Sequence, residues 1–173
     1  GVSSFGFSGT NCHVILEEYQ NGQESRDVYE GDLPFTLSAM NISNLINYAG
    51  KMLKYIKGMS DSSLADICYT MCTGRWHLPV RLAFRISSVN ELEGKLEWFV
   101  SKCSSGILNE ECLSDIRQNG FYIGIPEDGN SECNKTWEEL YNLSPGDLLS
   151  PDNLNKVMEH YVEGAVIPWE TLF

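Results

Sequence analysis

Pro79-Val80-Arg81-Leu82-Ala83-Phe84-Arg85-Ile86 alternates apolar Val80, Leu82, Phe84 and Ile86 with Arg81, Ala83 and Arg85. That is the two-residue period of a strand with one face in a core and one basic face. Its flanks carry a different period. Upstream, Leu64, Ile67, Cys68, Met71 and Cys72 recur at the spacing of one helix face, with Ser60 to Ser63 as caps, Gly74 as a stop and Pro79 barring continuation. Downstream, Ser88 caps a helix to about Cys103 whose stripe is Val89, Leu92, Leu96, Phe99 and Val100.

Further out, Leu33, Phe35 and Leu37 alternate with Pro34, Thr36 and Ser38 as a second strand, and Phe121, Ile123 and Ile125 mark a third between Gly120 and Pro126. Asn41 or Ser43 caps a helix with the stripe Ile42, Leu45, Ile46, Ala49, Met52, Leu53 and Ile56, stopped by Gly58. Residues 127–150 are acidic and turn-rich, with one helical turn expected around Trp137 to Tyr141. Pro151 then opens a last amphipathic helix through Val162, closed by Gly164. The order is strand, two helices, strand, helix, strand, last helix. Because each apolar stripe must be buried against something, the pattern predicts an α/β unit: a small three-stranded sheet covered by helices mainly on one face. Residues 33–173 form that unit, 19–32 read as a solvated linker, and 1–18 stand apart as strand-like segments around glycines.

The 173 residues carry 12 Lys and Arg against 24 Asp and Glu, a net charge of −12. An excess of negative charge repels phosphate backbones and anionic lipid, which argues against nucleic-acid and membrane-surface roles. The charge is uneven: residues 1–33 hold one basic and six acidic groups (−5), 34–103 eight and five (+3), and 104–173 three and thirteen (−10). The chain has no long apolar run and opens on Gly1-Val2-Ser3-Ser4 rather than a basic, apolar leader, so it reads as cytosolic and as a piece of a longer polypeptide.

The sequence offers little chemistry. Gly1, Gly6 and Gly9 do not make a phosphate loop, since Thr10-Asn11-Cys12 leads into an apolar strand and no Lys follows the last glycine. Cys12 and His13 are neighbours in a strand and point to opposite faces. Cys103 falls at the end of a predicted helix, where the helix dipole disfavours a thiolate. Cys68, Cys72 and Cys103 lie on apolar stripes as small hydrophobes, and His13, His77 and His160 lack paired spacing with any cysteine, so no metal site is expected. No catalytic residue is assigned. Trp76, Arg81, Arg85 and Trp169 are candidate interface anchors, because Trp and Arg are enriched at binding hot spots. Packing within the unit is the competing reading for each.

One segment is specific enough to carry a resemblance. Residues 1–18, GVSSFGFSGTNCHVILEE, closely resemble the C-terminal hairpin of polyketide-synthase and animal-type fatty-acid-synthase ketosynthases. The resemblance implies that Gly6, Phe7, Ser8, Gly9, Thr10 and Asn11 form a loop lining the acyl pocket of the intact ketosynthase, with Ser8 and Cys12 departing from the usual small residues. It also implies that the family's catalytic cysteine and two histidines lie upstream of this chain. Pro34 to Ala39, Asp66 to Arg75 and Arg81-Leu82-Ala83 resemble the linker domain that follows a ketosynthase. Tyr161-Val162-Glu163-Gly164 and Ile167 to Phe173 resemble the closing segment that follows an integral acyltransferase, with Pro168 where Asp is common. The acyltransferase itself is missing between them, an arrangement similar to trans-acyltransferase polyketide synthases. The implied role is a non-catalytic flanking subdomain, also called an acyltransferase docking domain. Its implied partners are the parent ketosynthase, a discrete acyltransferase and an acyl carrier protein. It would hold no cofactor, phosphopantetheine residing on the parent's carrier protein. Two alternatives stand beside it: a ketosynthase piece that takes part in condensation only within the intact parent, and a carrier-protein interaction module.

Overall fold

The computed structural model describes residues 1–18, 31–104, 108–124 and 144–173. Strand β1 (Val2–Phe5) pairs antiparallel with β2 (Asn11–Val14) as a separate hairpin, Ser3 opposite His13. The main sheet has the order β3 (Leu33–Ala39), β4 (Val80–Ile86), β5 (Phe121–Gly124), all antiparallel. The stretch with the clearest alternation is thus the central strand. Its partners are in register at Phe35, Phe84 and Phe121, whose rings lie 5.1 and 4.9 Å apart along the row. Ile125, expected to end the third strand, lies outside the described residues, as do 19–30 of the expected linker and the helical turn expected at Trp137 to Tyr141.

Helix α1 (Ile42–Ile56) starts where expected, the Asn41 side chain accepting from the Asn44 amide at 2.9 Å. It packs with α3 (Val89–Lys102), capped by Ser88, over the face bearing Phe35, Leu37, Leu82 and Phe84. Helix α2 (Leu64–Thr73), entered through the short 3-10 turn Asp61–Ser63, runs along β3. Its Cys68 and Met71 join the same core. Between α3 and β5 the structure has a helix the sequence reading lacked, α4 (Glu110–Gln118). Only Cys112 and Ile116 of α4 are buried, one turn apart, so its apolar stripe is too short to stand out among Glu110, Glu111 and Asp115. The legible signal was its cap: Asn109 accepts from the Cys112 amide at 2.8 Å.

The opposite face of the sheet is not left to solvent. After the one-turn α5 (Pro145–Leu148), helix α6 (Pro151–Val162) crosses it and the chain ends in a 3-10 turn, Trp169–Leu172. Leu154, Val157, Met158, Tyr161, Trp169 and Leu172 close a smaller core on Ala83 and Cys72. Here Gly124 matters, because a Cβ at that position would collide with the Val162 carbonyl oxygen. The unit is α/β as expected, with α1, α3 and α4 on one face and α6 with the terminal turn on the other.

Candidate interaction surfaces

The four expected anchors do not share a surface. Trp169 is 2% exposed, its ring 5.3 Å from Tyr161, and its indole Nε1 is buried without a hydrogen-bond partner. It is a core residue of the terminal turn, which corrects the reading of an exposed anchor. Arg81 also points into the molecule: Nη1 donates to the carbonyls of Tyr161 (2.8 Å) and Ala165 (3.0 Å), and the guanidinium lies 5.0 Å from the centre of the Tyr161 ring. Arg85 is half-buried and pairs with Asp32 at 2.9 Å. The basic face of β4 is therefore an internal clamp that holds the end of α6 and the entry to β3. Trp76 alone is open, at 89% exposure.

The loop that carries Trp76 is fixed from below. Ser38 Oγ donates to the Trp76 carbonyl and accepts from the Leu78 amide, at 3.0 and 2.9 Å. His77 Nε2 meets the Cys72 carbonyl at 2.9 Å, so that nitrogen carries the proton and Nδ1 accepts from the Tyr161 hydroxyl at 2.8 Å. Burial holds the His77 imidazole below its ordinary value, the nearby Arg81 charge adds to that, and the bond to Cys72 opposes it. The folded state prefers this histidine neutral while the unfolded chain protonates near about pH 6.5. Its contribution to stability is therefore present above that value and is lost as the pH falls below it towards the lower value of the folded state. Melting curves taken from about pH 8 to pH 5 should show a fall in melting temperature that is shallower in His77→Gln than in the parent chain. Identical slopes would mean that His77 does not govern the pH dependence.

Burial keeps three thiols protonated. Burial pushes Cys72 up to about 12, the bond with Thr36 only partly offsetting it. Cys68 is raised by burial and by Cys72. Burial and the adjacent Cys112 raise Cys103 to about 12. A nucleophilic or metal-binding thiolate is disfavoured at each of these three positions. Among the described residues no three His, Cys, Asp or Glu side chains come together as metal ligands.

Two other surfaces stand out. In the hairpin, the Gly6 amide donates to Thr10 and the Gly9 amide to Gly6, at 2.8 and 3.0 Å. Gly9 has φ +88°, and a Cβ on Gly6 would lie 2.6 Å from the Thr10 oxygen. The turn therefore depends on its glycines. It presents Phe5, Phe7, Ile15 and Leu16, each more than 70% exposed, and residues 1–18 are exposed throughout. The second surface is a groove of about 480 Å³ between α1 and α2, lined by Tyr48, Met52, Tyr55, Met71, Lys51 and Arg75 among others. At Tyr48, Met71 and Arg75 it adjoins a cavity of about 220 Å³ over Ser38, His77 and Tyr161. The sequence reading did not find this groove.

Comparisons with known proteins bear on both parts of the chain, the exposed hairpin and the small α/β unit. The family model described as RhiE-like, KS-MAT linker domain matches residues 36–102. Polyketide synthase PksM of Bacillus subtilis (strain 168) is 30% identical over 173 residues, which is 99% of this chain and 4% of that protein. Erythronolide synthase EryA2 of Saccharopolyspora erythraea is 40% identical over 83 residues, 48% of this chain and 2% of that protein. Among solved structures, the ketosynthase from module 6 of the bacillaene synthase of Bacillus subtilis 168 aligns with 99% of this chain and 27% of its own, with a TM-score of 0.63 and 27% identity. The chain therefore spans a few per cent of the length of these curated relatives and about a quarter of the ketosynthase structure. Residues 36–102 match the RhiE-like KS-MAT linker model, and the chain as a whole is similar to a stretch of polyketide synthases that ketosynthase structures also include. The resemblance to a ketosynthase C-terminal segment followed by its linker domain is borne out.

Proposed function

We propose that this region is a non-catalytic flanking subdomain of a trans-acyltransferase polyketide synthase, which holds the ketosynthase in position and docks a discrete acyltransferase. One observation carries the reading. PksM aligns continuously with the whole chain, so in that relative too the closing segment follows the linker directly, with no room for an interposed acyltransferase. The EryA2 match covers less than half of the chain. A synthase lacking an integral acyltransferase must receive its extender units from a separate enzyme. The linker, which in other synthases joins the two domains, is the natural place to receive it.

In this reading the exposed apolar hairpin rests on the parent ketosynthase, and the loop Gly6 to Asn11 reaches its acyl pocket. Phosphopantetheine belongs to the carrier protein of the parent, and the assembly works in the cytoplasm. Among the described residues no helix is long and apolar enough to cross a membrane. Isothermal titration of this chain with the discrete acyltransferase of its own pathway, at two salt concentrations, tests the docking. Saturable binding tighter than about 100 μM, worth roughly 5.5 kcal/mol, is expected. Silence up to that range from a folded chain would remove docking and leave positioning as the whole role.

A further inference from the structure

The groove between α1 and α2 differs in charge from the molecule that bears it. From Ile42 to Gly58 the sequence has Lys51, Lys54 and Lys57 and no acidic residue, within a chain of net charge −12. All three lysines are exposed, as is Arg75 on the facing side, and none of the four makes an ion pair among the described residues. Lys51 and Arg75 stand at the groove itself. The one carboxylate lining it, Asp66, is already engaged within the fold. Between the cations the lining is aromatic and thioether: Tyr48, Tyr55, Met52, Met59 and Met71. Tyr55 is 63% exposed, and the open Trp76 follows Arg75 directly.

Unpaired cations around a trough of Met and Tyr are complementary to one kind of occupant, a helix with an apolar stripe and acidic flanks. Met adapts to the stripe while lysine and arginine meet the carboxylates. At about 1.5 Å per residue the fifteen-residue α1 offers a wall of roughly 22 Å, long enough to seat about four turns. The chain's net negative charge does not forbid this, because charges further than about 8 Å away are largely screened at physiological salt. We infer that the α1–α2 groove is a docking site for an acidic amphipathic helix of a partner protein. The inference rests on the docking reading above and names the face and the partner chemistry it uses.

The test uses this chain and a synthetic helix of about 18 residues, Leu on one face and Glu on the others, together with a twin in which Lys replaces every Glu. The acidic helix is expected to bind saturably, tighter than about 100 μM, to weaken as salt is raised, and to shift the amide signals of α1 and α2. The basic twin should not bind. The double variant Lys51→Glu with Arg75→Glu should lose at least about tenfold in affinity with an unchanged circular dichroism spectrum, while Lys156→Glu on α6 should bind as the parent does. No binding of the acidic helix, equal binding of both helices, or a chain dimer that covers the groove and excludes the helix would each overturn the inference. Salt dependence supplies the decision if the double variant fails to fold. The two readings fail separately. If the helix binds the groove while the acyltransferase gives no heat, the acyltransferase is the wrong partner and the groove stands. If the acyltransferase binds the double variant as well as it binds the parent chain, docking stands and the groove is not its site.

Discussion

Arg81→Glu is expected to lose about 3 kcal/mol of folding free energy or more, the scale of two hydrogen bonds made by a charged group at about 1.5 to 3 kcal/mol each. The guanidinium joins β4 to the end of α6 by two charge-assisted bonds, to Tyr161 and Ala165, and its Nε reaches the Leu78 carbonyl at 3.4 Å. The Tyr161 carbonyl is in the last turn of α6 and the Ala165 carbonyl just beyond it, where carbonyls lack donors further along the helix, so the arginine helps to cap the C-terminus of α6. A carboxylate at that position would face two carbonyl oxygens and the electron-rich face of Tyr161. At roughly 2 to 4 °C per kcal/mol for a domain of this size, the melting temperature should fall by about 10 °C or more. Urea denaturation followed by circular dichroism measures the loss of free energy, and a thermal melt measures the shift. An unchanged midpoint, with partner binding weakened instead, would return Arg81 to the surface role that its sequence position allowed.

Phe84→Ala should cost about as much for a different reason. Phe84 is fully buried at the centre of β4, between Phe35 and Phe121, and the Lys95 ammonium lies 5.7 Å from its ring centre. Removing the ring opens a cavity that three strands border and that cannot collapse without moving the sheet, a loss of about 3 to 5 kcal/mol. Trp76→Ala, by contrast, removes a ring that is 89% exposed and should change stability by less than about 0.5 kcal/mol. The contrast separates residues that build the unit from one available to a partner. A chain tolerant of Phe84→Ala would mean that the aromatic row is not the centre of the core.

The three strands and the helices α1, α2, α3 and α6 were legible because local signals agree there. Alternation marks β3 and β4, Asn41 and Ser88 cap as residue type suggests, and Pro151 stands at the first turn of α6. What escaped was not local. Alternation in β4 says that Arg81 and Phe84 face opposite ways, but not that a helix some eighty residues later covers the arginine side. The same fact buries Trp169, which follows Pro168 near the end of the sequence and is part of the second core. The hairpin could be recognised only through its glycine and aromatic pattern, since no core of its own specifies it. The α1–α2 groove is a product of packing. Its only trace in the sequence is the run of lysines without acids from 42 to 58.

A flanking piece that a ketosynthase completes should have a hairpin that the ketosynthase protects. Amide hydrogen exchange across Phe5 to Leu16, measured in this chain alone and in the same chain joined to its ketosynthase, reads that protection. Fast exchange is expected in the isolated chain, where the hairpin has exposed edges and exposed apolar side chains. In the joined protein the same amides should exchange slowly. Slow, well-protected exchange in the isolated monomer, or no gain of protection on joining, would contradict it.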